Sequence, residues 1–517
     1  MTRRGHYAYA PMPLIADAVR HQAASAPDTP AVIVGARSVT WRELDRLSSA
    51  AALHLRESGI RQGQCVALHL ANGIEIVVAY LACFKSGAIA LPINTRFKGQ
   101  EIDYVLRHAG AVAYVGQTDL AGEIAAWPDE VRVRFVDGEL LAAAEKVRLK
   151  PDTLDTAPVG LQPDTTDVVG GSDDDPAAVL YTSGTTSRPK GVTHTQRTLT
   201  AMAASSMDLT SDLNGSVLIP LPMVHAAALL GVVAAVRLGL TIVTAAIFDP
   251  NAFLDAFERH RGVAMSGMPV LYRMLVEAQR AKRRDVSSGR LFGVGGDSVP
   301  TALQQEFTSL FGRPLMEVYG LSEIVPVSTN TEEAIRVGSL GRPAPGVRVK
   351  ICHNNGKDVA RGDVGEICVQ APGVFVGYWN NPEGTTQAFR DGWFLTGDLA
   401  HEDADGFYWF DGRKKEIIVR GGSNISPQEV EEAIYQHPAV AEVAVVGVSD
   451  ERWGEVVMAG VALRPGQAVS ESDLIEFVRG RLSLYKCPER ILFMAALPKG
   501  PTGKVLRRAV RESLVYR

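Results

Sequence analysis

The sequence predicts an α/β protein, with a large N-terminal domain of helix-covered mixed and parallel sheets and a small C-terminal α+β domain. Three observations carry this. At 517 residues the chain exceeds what one hydrophobic core usually organises. Helical and strand patterns alternate from early in the chain, which builds parallel sheets covered by helices. After Arg413 the pattern becomes compact and mixed, so the domains are placed at 1–413 and 414–517.

The elements follow in order. Thr40 and Glu43 form a capping box that opens a helix over 41–57. A short apolar strand at 64–70, a helix at 74–86 and a strand at 88–92 come next. Residues 150–175 turn to Pro, Asp, Thr and Gly, a surface connection. Its run Asp173-Asp174-Asp175 reads as a solvated loop without a role. A strand at 177–181 precedes the most biased stretch of the chain. The mostly apolar segment 226–248 carries Arg237 near its middle, where a charge is costly in lipid. It reads instead as a helix at 226–238, ended by Gly239, and a strand at 240–245. No repeat or heptad run is visible. Beyond residue 413, Ser426-Pro427-Gln428-Glu429 has the form of a capping box with proline at the first helical position. A strand at 440–446 and an amphipathic helix at 473–482 complete the small domain.

Bulk properties exclude several classes. The formal charge of −5 gives no case for nucleic acid or an anionic membrane as partner. Five scattered cysteines without a C-x-x-C pair suit a reducing cytoplasm and argue against a disulfide frame or a zinc site. No apolar run follows the basic N-terminus, so no signal peptide is expected, and the location predicted is cytoplasmic.

The chemistry is written in a series of short stretches. In Tyr181-Thr-Ser-Gly-Thr-Thr-Ser-Arg-Pro-Lys-Gly191, the hydroxyls of Thr182, Ser183, Thr185 and Thr186 crowd around Gly184, with Lys190 beyond. Backbone N–H and hydroxyl groups of such a loop surround phosphate oxygens, and the lysine adds a movable charge. It is not a Walker A loop, because Pro189-Lys190 precede Gly191. His225 ends the apolar run Pro220-Leu-Pro-Met-Val-His, and alone would read as a packed histidine. Leu291-Phe-Gly-Val-Gly-Gly-Asp-Ser298 reads as a strand ending in a glycine turn at Gly295-Gly296. In Glu317-Val-Tyr-Gly-Leu-Ser-Glu323, Tyr319 offers a face for stacking, Gly320 room, Ser322 a hydroxyl and Glu323 a hard oxygen for Mg²⁺. Trp393-Phe-Leu-Thr-Gly-Asp398 places an aspartate after a strand-and-turn pattern, and Arg413 opens the charged run to Glu416. Near the C-terminus stands Thr502-Gly503-Lys504, with Lys499 read as surface.

Taken together and in this order, these motifs resemble the adenylate-forming superfamily, in particular its AMP-forming acyl-CoA synthetases. The chain has Ser187 where the family has Gly and Ser322 where it usually has Thr. Three alanines follow His225 in place of a glycine-containing turn. The resemblance implies that Thr182–Thr186 and Lys190 hold the ATP phosphates, that Gly295, Gly296, Tyr319 and Gly320 form the adenine platform, and that Ser322 meets the α-phosphate. It implies that Glu323 binds Mg²⁺, that His225 lies beside the activated carboxyl, and that Asp398 and Arg413 contact the nucleotide, Asp398 at both ribose hydroxyls. Lys415 would be the hinge of a mobile C-terminal domain, Gly421 and Gly422 would line the thiol tunnel, and Lys504 would bridge carboxylate and α-phosphate. The function implied is ATP-dependent activation of a carboxylic acid to an acyl-adenylate and transfer to CoA. One rival is a stand-alone enzyme that loads a carrier protein in trans. Another is a regulatory nucleotide-binding protein without catalysis. The apolar or small surroundings expected at His225, Met268 and Gly295 favour an apolar fatty or aryl acid. Asp249 reads either as a partner for a substrate ammonium or as a helix start. A monomer and a homodimer both fit.

Overall fold

The computed structural model describes residues 14–124, 126–147, 172–182, 189–207, 213–297, 299–353, 356–500 and 504–515. The connection expected at 150–175 therefore lies largely outside the described residues. The chain forms two compact units. One comprises Met1–Ile335, Pro343–Arg348 and Gln370–Phe389; the other comprises Arg336–Arg342, Val349–Val369 and Arg390–Arg517. Residue 413 lies inside the second.

The first unit is built on two sheets with parallel centres. In one, Pro30–Val34, Thr241–Thr244, Ser216–Leu218, Gly262–Gly267, Leu291–Gly295 and Met316–Leu321 run parallel in that spatial order. Antiparallel Arg37–Thr40 and Ile324–Thr329 flank them. In the other, Val133–Val136, Ala111–Gly116, Cys65–His69, Ile89–Pro92 and Pro176–Thr182 are parallel, and Lys190–Thr195 and Gly377–Tyr378 continue the sheet antiparallel. The predicted mixture of parallel and antiparallel pairing is what forms.

Local chemistry sets the helices that cover these sheets. Thr40 Oγ1 accepts from the Glu43 N–H at 3.3 Å and Glu43 returns to the Thr40 N–H at 2.8 Å, completing the expected capping box of Trp41–Glu57. Helices Ile74–Ser86 and Ala226–Leu238 each end on a left-handed glycine, Gly87 and Gly239. Among the described residues no helix is long and apolar enough to cross a membrane. Strand Leu291–Gly295 is held from below by a cluster of rings. Phe292 packs against Phe257, Phe307 and Phe311 with centroids 5.1–5.8 Å apart. Burying each ring contributes about 2–3 kcal/mol.

In the second unit, Gly365–Gln370 pairs antiparallel with Trp393–Glu402, which pairs with Tyr408–Arg413. A further sheet runs Ser423–Ile425, Ile418–Arg420, Gly454–Leu463, Val440–Asp450, with Arg490–Phe493 parallel to Gly454–Leu463. Helices Pro427–Tyr435, Glu471–Arg479 and Arg507–Val515 pack on it, which is the predicted α+β pattern.

Three expectations are corrected. Cys352 and Cys368, on neighbouring strands, are joined as a disulfide, whereas Cys65, Cys83 and Cys487 are free and buried. Two strands bring together thiols that are sixteen residues apart, a proximity the spacing does not disclose. The capping box at Ser426 does not form: Pro427 takes the first helical position, but Ser426 makes no cap hydrogen bond and Glu429 pairs with Lys486 at 2.6 Å. Asp398 lies within a long strand, not after it.

One buried ion pair anchors the helical layer. Lys85, in the last turn of Ile74–Ser86, reaches Asp45 of Trp41–Glu57 at 2.6 Å, and the hydroxyls of Ser48 and Ser49 complete its shell at 2.8 and 2.9 Å. Both side chains are about 5% exposed or less. Burial pulls the lysine below its usual pKa, and Asp45 partly restores it. Asp45→Ala would strand the ammonium, so urea unfolding should show a loss of about 3–5 kcal/mol. The double variant Asp45→Leu with Lys85→Met should recover most of it, and a single-variant loss below about 1 kcal/mol would contradict this account.

Candidate active site

In the first unit, the candidate phosphate loop and the glutamate motif are brought together from different sheets. Thr182 ends one strand and Lys190 begins the next, and the two are cross-strand partners that close the base of the loop. Tyr104 supports that base by donating to the Pro189 carbonyl at 3.2 Å. Ser183, Gly184, Thr185 and Thr186 lie outside the described residues, as does Ser298.

Ser322 and Glu323 form the two-residue tip of the hairpin between Met316–Leu321 and Ile324–Thr329. Three contacts from elsewhere fix this tip. His194 donates its Nε2–H to the Ser322 carbonyl at 2.8 Å, which sets the tautomer because a carbonyl only accepts. The Phe375 N–H donates to the Glu323 carbonyl at 2.8 Å. Tyr378 donates its hydroxyl to Glu323 Oε1 at 2.8 Å. Burial and the neighbouring carboxylate push the Tyr378 pKa above its ordinary range, so it remains an O–H donor. The Lys190 ammonium lies 4.5 Å from the centre of the same ring. Tyr378 thus touches a cation from the phosphate loop with its face and an anion from the hairpin with its hydroxyl.

Gly295 and Tyr319 stand side by side, because Gly295 pairs with Val318 in the parallel ladder. A Cβ on Gly295 would lie 2.2 Å from the Val318 carbonyl oxygen, so only glycine fits. Gly296 follows at φ +83° and turns the chain away, and Gly320 sits next to Tyr319 in the same strand. His225 caps helix Ala226–Leu238 by position, at the end of a loop pinned from below. Asn72 accepts from the Met223 N–H at 2.6 Å and donates to the Leu221 carbonyl at 2.9 Å, while Tyr80 donates to the Met223 carbonyl at 2.8 Å. Asp249 accepts from the Ala252 N–H at 2.7 Å with Pro250 next, so it is a helix start.

The remaining candidates belong to the second unit. Asp398, 4% exposed, faces Arg413 across the ladder, with Nε to Oδ1 at 3.2 Å. Lys415 is exposed in the turn that follows Arg413. Gly421 and Gly422, both at positive φ, form the tip of the hairpin Ile418–Arg420 to Ser423–Ile425. Lys504 is exposed, and its carbonyl accepts from the Gly500 N–H at 2.8 Å; Thr502 and Gly503 lie outside the described residues. Lys499 pairs with Glu442 at the surface, as expected. Among the described residues no three His, Cys, Asp or Glu side chains group as a metal site.

Tyr378 and His194 were not legible as site residues. Tyr378 is an aromatic in an ordinary apolar run, and His194 sits between Thr193 and Thr195 on a buried strand, which reads as core. His194 carries a pH signature. Burial lowers its pKa to about 4, with the Ser322 carbonyl opposing, and burial does the same to His69. Unfolding raises each towards about 6.5. The unfolded chain therefore binds more protons between these values, and stability falls as pH drops through that window. From pH 7 to 5 the loss should be about 2 kcal/mol per histidine. Urea unfolding of His194→Gln should show a shallower pH slope than the parent; an unchanged slope would contradict the assignment.

Comparison with known proteins identifies the family. Residues 19–379 match the AMP-binding enzyme family, and residues 429–504 match the AMP-binding enzyme C-terminal domain. A feruloyl-CoA synthase from Amycolatopsis sp is 35% identical over 95% of this chain and 97% of its own length. An indoleacetate–CoA ligase from Aromatoleum aromaticum is 34% identical, over 92% of this chain and 93% of its own. Among solved structures, ATP-bound MatB from Rhodopseudomonas palustris superposes with a TM-score of 0.87 at 29% identity, covering 97% of this chain and 100% of that one. The chain belongs to the AMP-binding enzyme family, as an AMP-forming acid–thiol ligase of the adenylate-forming superfamily.

Proposed function

We propose that this ligase activates an apolar aryl or fatty acid, aryl acids foremost, and passes the acyl group to CoA. The observation that supports the site is the meeting of Lys190 and Glu323 at Tyr378, beside the paired residues Thr182 and Lys190. The substrate class rests on the similarity to a feruloyl-CoA synthase and an indoleacetate–CoA ligase. It is supported too by Asp249, which accepts from the Ala252 N–H as the cap of a helix, so the residue is accounted for without a substrate ammonium.

The chemistry needs these groups because two anions must meet. The substrate carboxylate attacks the α-phosphorus directly, the acyl-adenylate forms and pyrophosphate leaves, so no enzyme nucleophile takes part. Thr182 and the loop hydroxyls, with Lys190, hold the phosphates; Ser322 meets the α-phosphate; Lys504 neutralises charge between carboxylate and α-phosphate. Tyr319, Gly320, Gly295 and Gly296 receive the adenine, and Asp398 with Arg413 the ribose side. His225 walls the acyl pocket, on a loop whose position Asn72 and Tyr80 maintain. Glu323 fits Mg²⁺, which takes one or two carboxylates and completes its shell with phosphate oxygens and water; the Tyr378 hydroxyl uses one of the several acceptor sites of the carboxylate. Bound there, the ion supplies charge neutralisation on the triphosphate. Residues 414–517 would turn about Lys415 between the half-reactions, withdrawing Lys504 and bringing Gly421 and Gly422 to the thiol. The use of ATP and CoA supports a cytoplasmic location.

Pyrophosphate release with ATP, Mg²⁺ and a panel of cinnamic-type, arylacetic, fatty and amino acids tests this, with products identified by mass spectrometry. Turnover that requires CoA, is fastest on an aryl acid and yields its CoA thioester is expected. Adenylate formation indifferent to CoA would contradict the acceptor, and preference for an amino acid would contradict the substrate class. Lys504→Ala should lower adenylation by roughly 10²–10³-fold while thioester formation from supplied acyl-adenylate survives. Equal loss of both halves would remove Lys504 from this role.

A further inference from the structure

Strand Trp393–Glu402 is interrupted where it carries Asp398. Opposite it, Glu366 pairs with Leu399 and Cys368 with Leu395, so residues 396–398 bulge from the ladder. Gly397 sits at φ +77°, a conformation that favours glycine. A bulge takes backbone groups away from their ladder partners, and here both groups of Gly397 are recovered. Its N–H donates to Glu366 Oε1 at 2.9 Å, and its carbonyl accepts from the Lys414 N–H at 2.9 Å. The Lys414 ammonium then returns to Glu366 Oε2 at 3.0 Å, closing a ring of three residues. The Glu366 side chain is 8% exposed and that of Lys414 is 43% exposed. Asp398 follows Gly397 directly, Arg413 precedes Lys414, and Lys415 comes next.

We propose that Glu366 is a positioning residue for the nucleotide. Its carboxylate holds the bulge so that Asp398 and Arg413 stay paired in one orientation, and Lys414 ties that bulge to the turn at Lys415. This rests on the reading of Asp398 as the ribose acceptor. The two arms of the ring differ in strength. Removing the carboxylate orphans the part-buried Gly397 N–H, which is costly to leave unsatisfied. An ion pair to a half-exposed lysine is worth little.

That difference gives a test on the full chain, with ATP affinity from calorimetry and the KM of the acid as control. Glu366→Ala should weaken ATP about 10-fold or more without moving the acid KM. Glu366→Gln, which keeps an acceptor for Gly397, should recover most of this loss. Lys414→Met should stay within about threefold of the parent. If Asp398→Ala weakens ATP and Glu366→Ala does not, the proposal is overturned and the ribose reading stands. If Asp398→Ala has no effect, both fall. Should Glu366→Ala fail to fold, Glu366→Asp decides: its shortened reach should weaken ATP alone, and equal shifts in ATP affinity and acid KM would overturn the proposal.

Discussion

The hydrogen bond from Tyr378 to Glu323 is the contact on which the candidate phosphate site depends. It joins a two-residue hairpin tip on one sheet to the edge of another, and the same ring carries Lys190 on its face. A carboxylate and an ammonium left to find each other in water would form a weak, mobile pair. Here both touch one phenol, Lys190 at its face and Glu323 at its hydroxyl. Under the proposed function, this phenol ties the cation that meets the triphosphate to the carboxylate that meets its counter-ion. His194 and Phe375 add two backbone anchors to the same tip, so the hairpin is held at Ser322 and Glu323 alike.

The second unit solves a related problem by other means. Its ribose candidate, Asp398, lies in a strand where regular pairing would leave little freedom to aim a side chain. The bulge at Gly397 supplies that freedom, and the Glu366–Lys414 ring removes the disorder that a bulge would otherwise bring. Under the proposed function, Tyr378 and Glu366 have the same task, each orienting a neighbour that meets the nucleotide or its counter-ion, the pattern expected where geometry decides the rate.

Much of this was legible in the sequence, and the reasons are specific. Trp41–Glu57 and its capping box could be read because Thr40 and Glu43 act locally. The α/β class followed from alternation, and the family from ordered short motifs whose residues sit next to one another in the chain. What escaped was non-local. Cys352 and Cys368 meet only because two strands pair. Glu429 pairs with Lys486, distant in sequence, and Ser426 makes no cap bond. Tyr378 reaches Glu323 across 55 residues. None of these has a spacing that announces it.

The central claim is that Tyr378 acts through Glu323, and a double-variant cycle in ATP–pyrophosphate exchange tests it most directly. Tyr378→Phe keeps the ring beneath Lys190 and removes only the hydroxyl. If the hydroxyl works by orienting Glu323, Tyr378→Phe added to Glu323→Gln should cost little beyond Glu323→Gln alone, with a coupling of about 1–2 kcal/mol. Losses that multiply independently would show that the two residues serve the reaction separately, and would contradict the account.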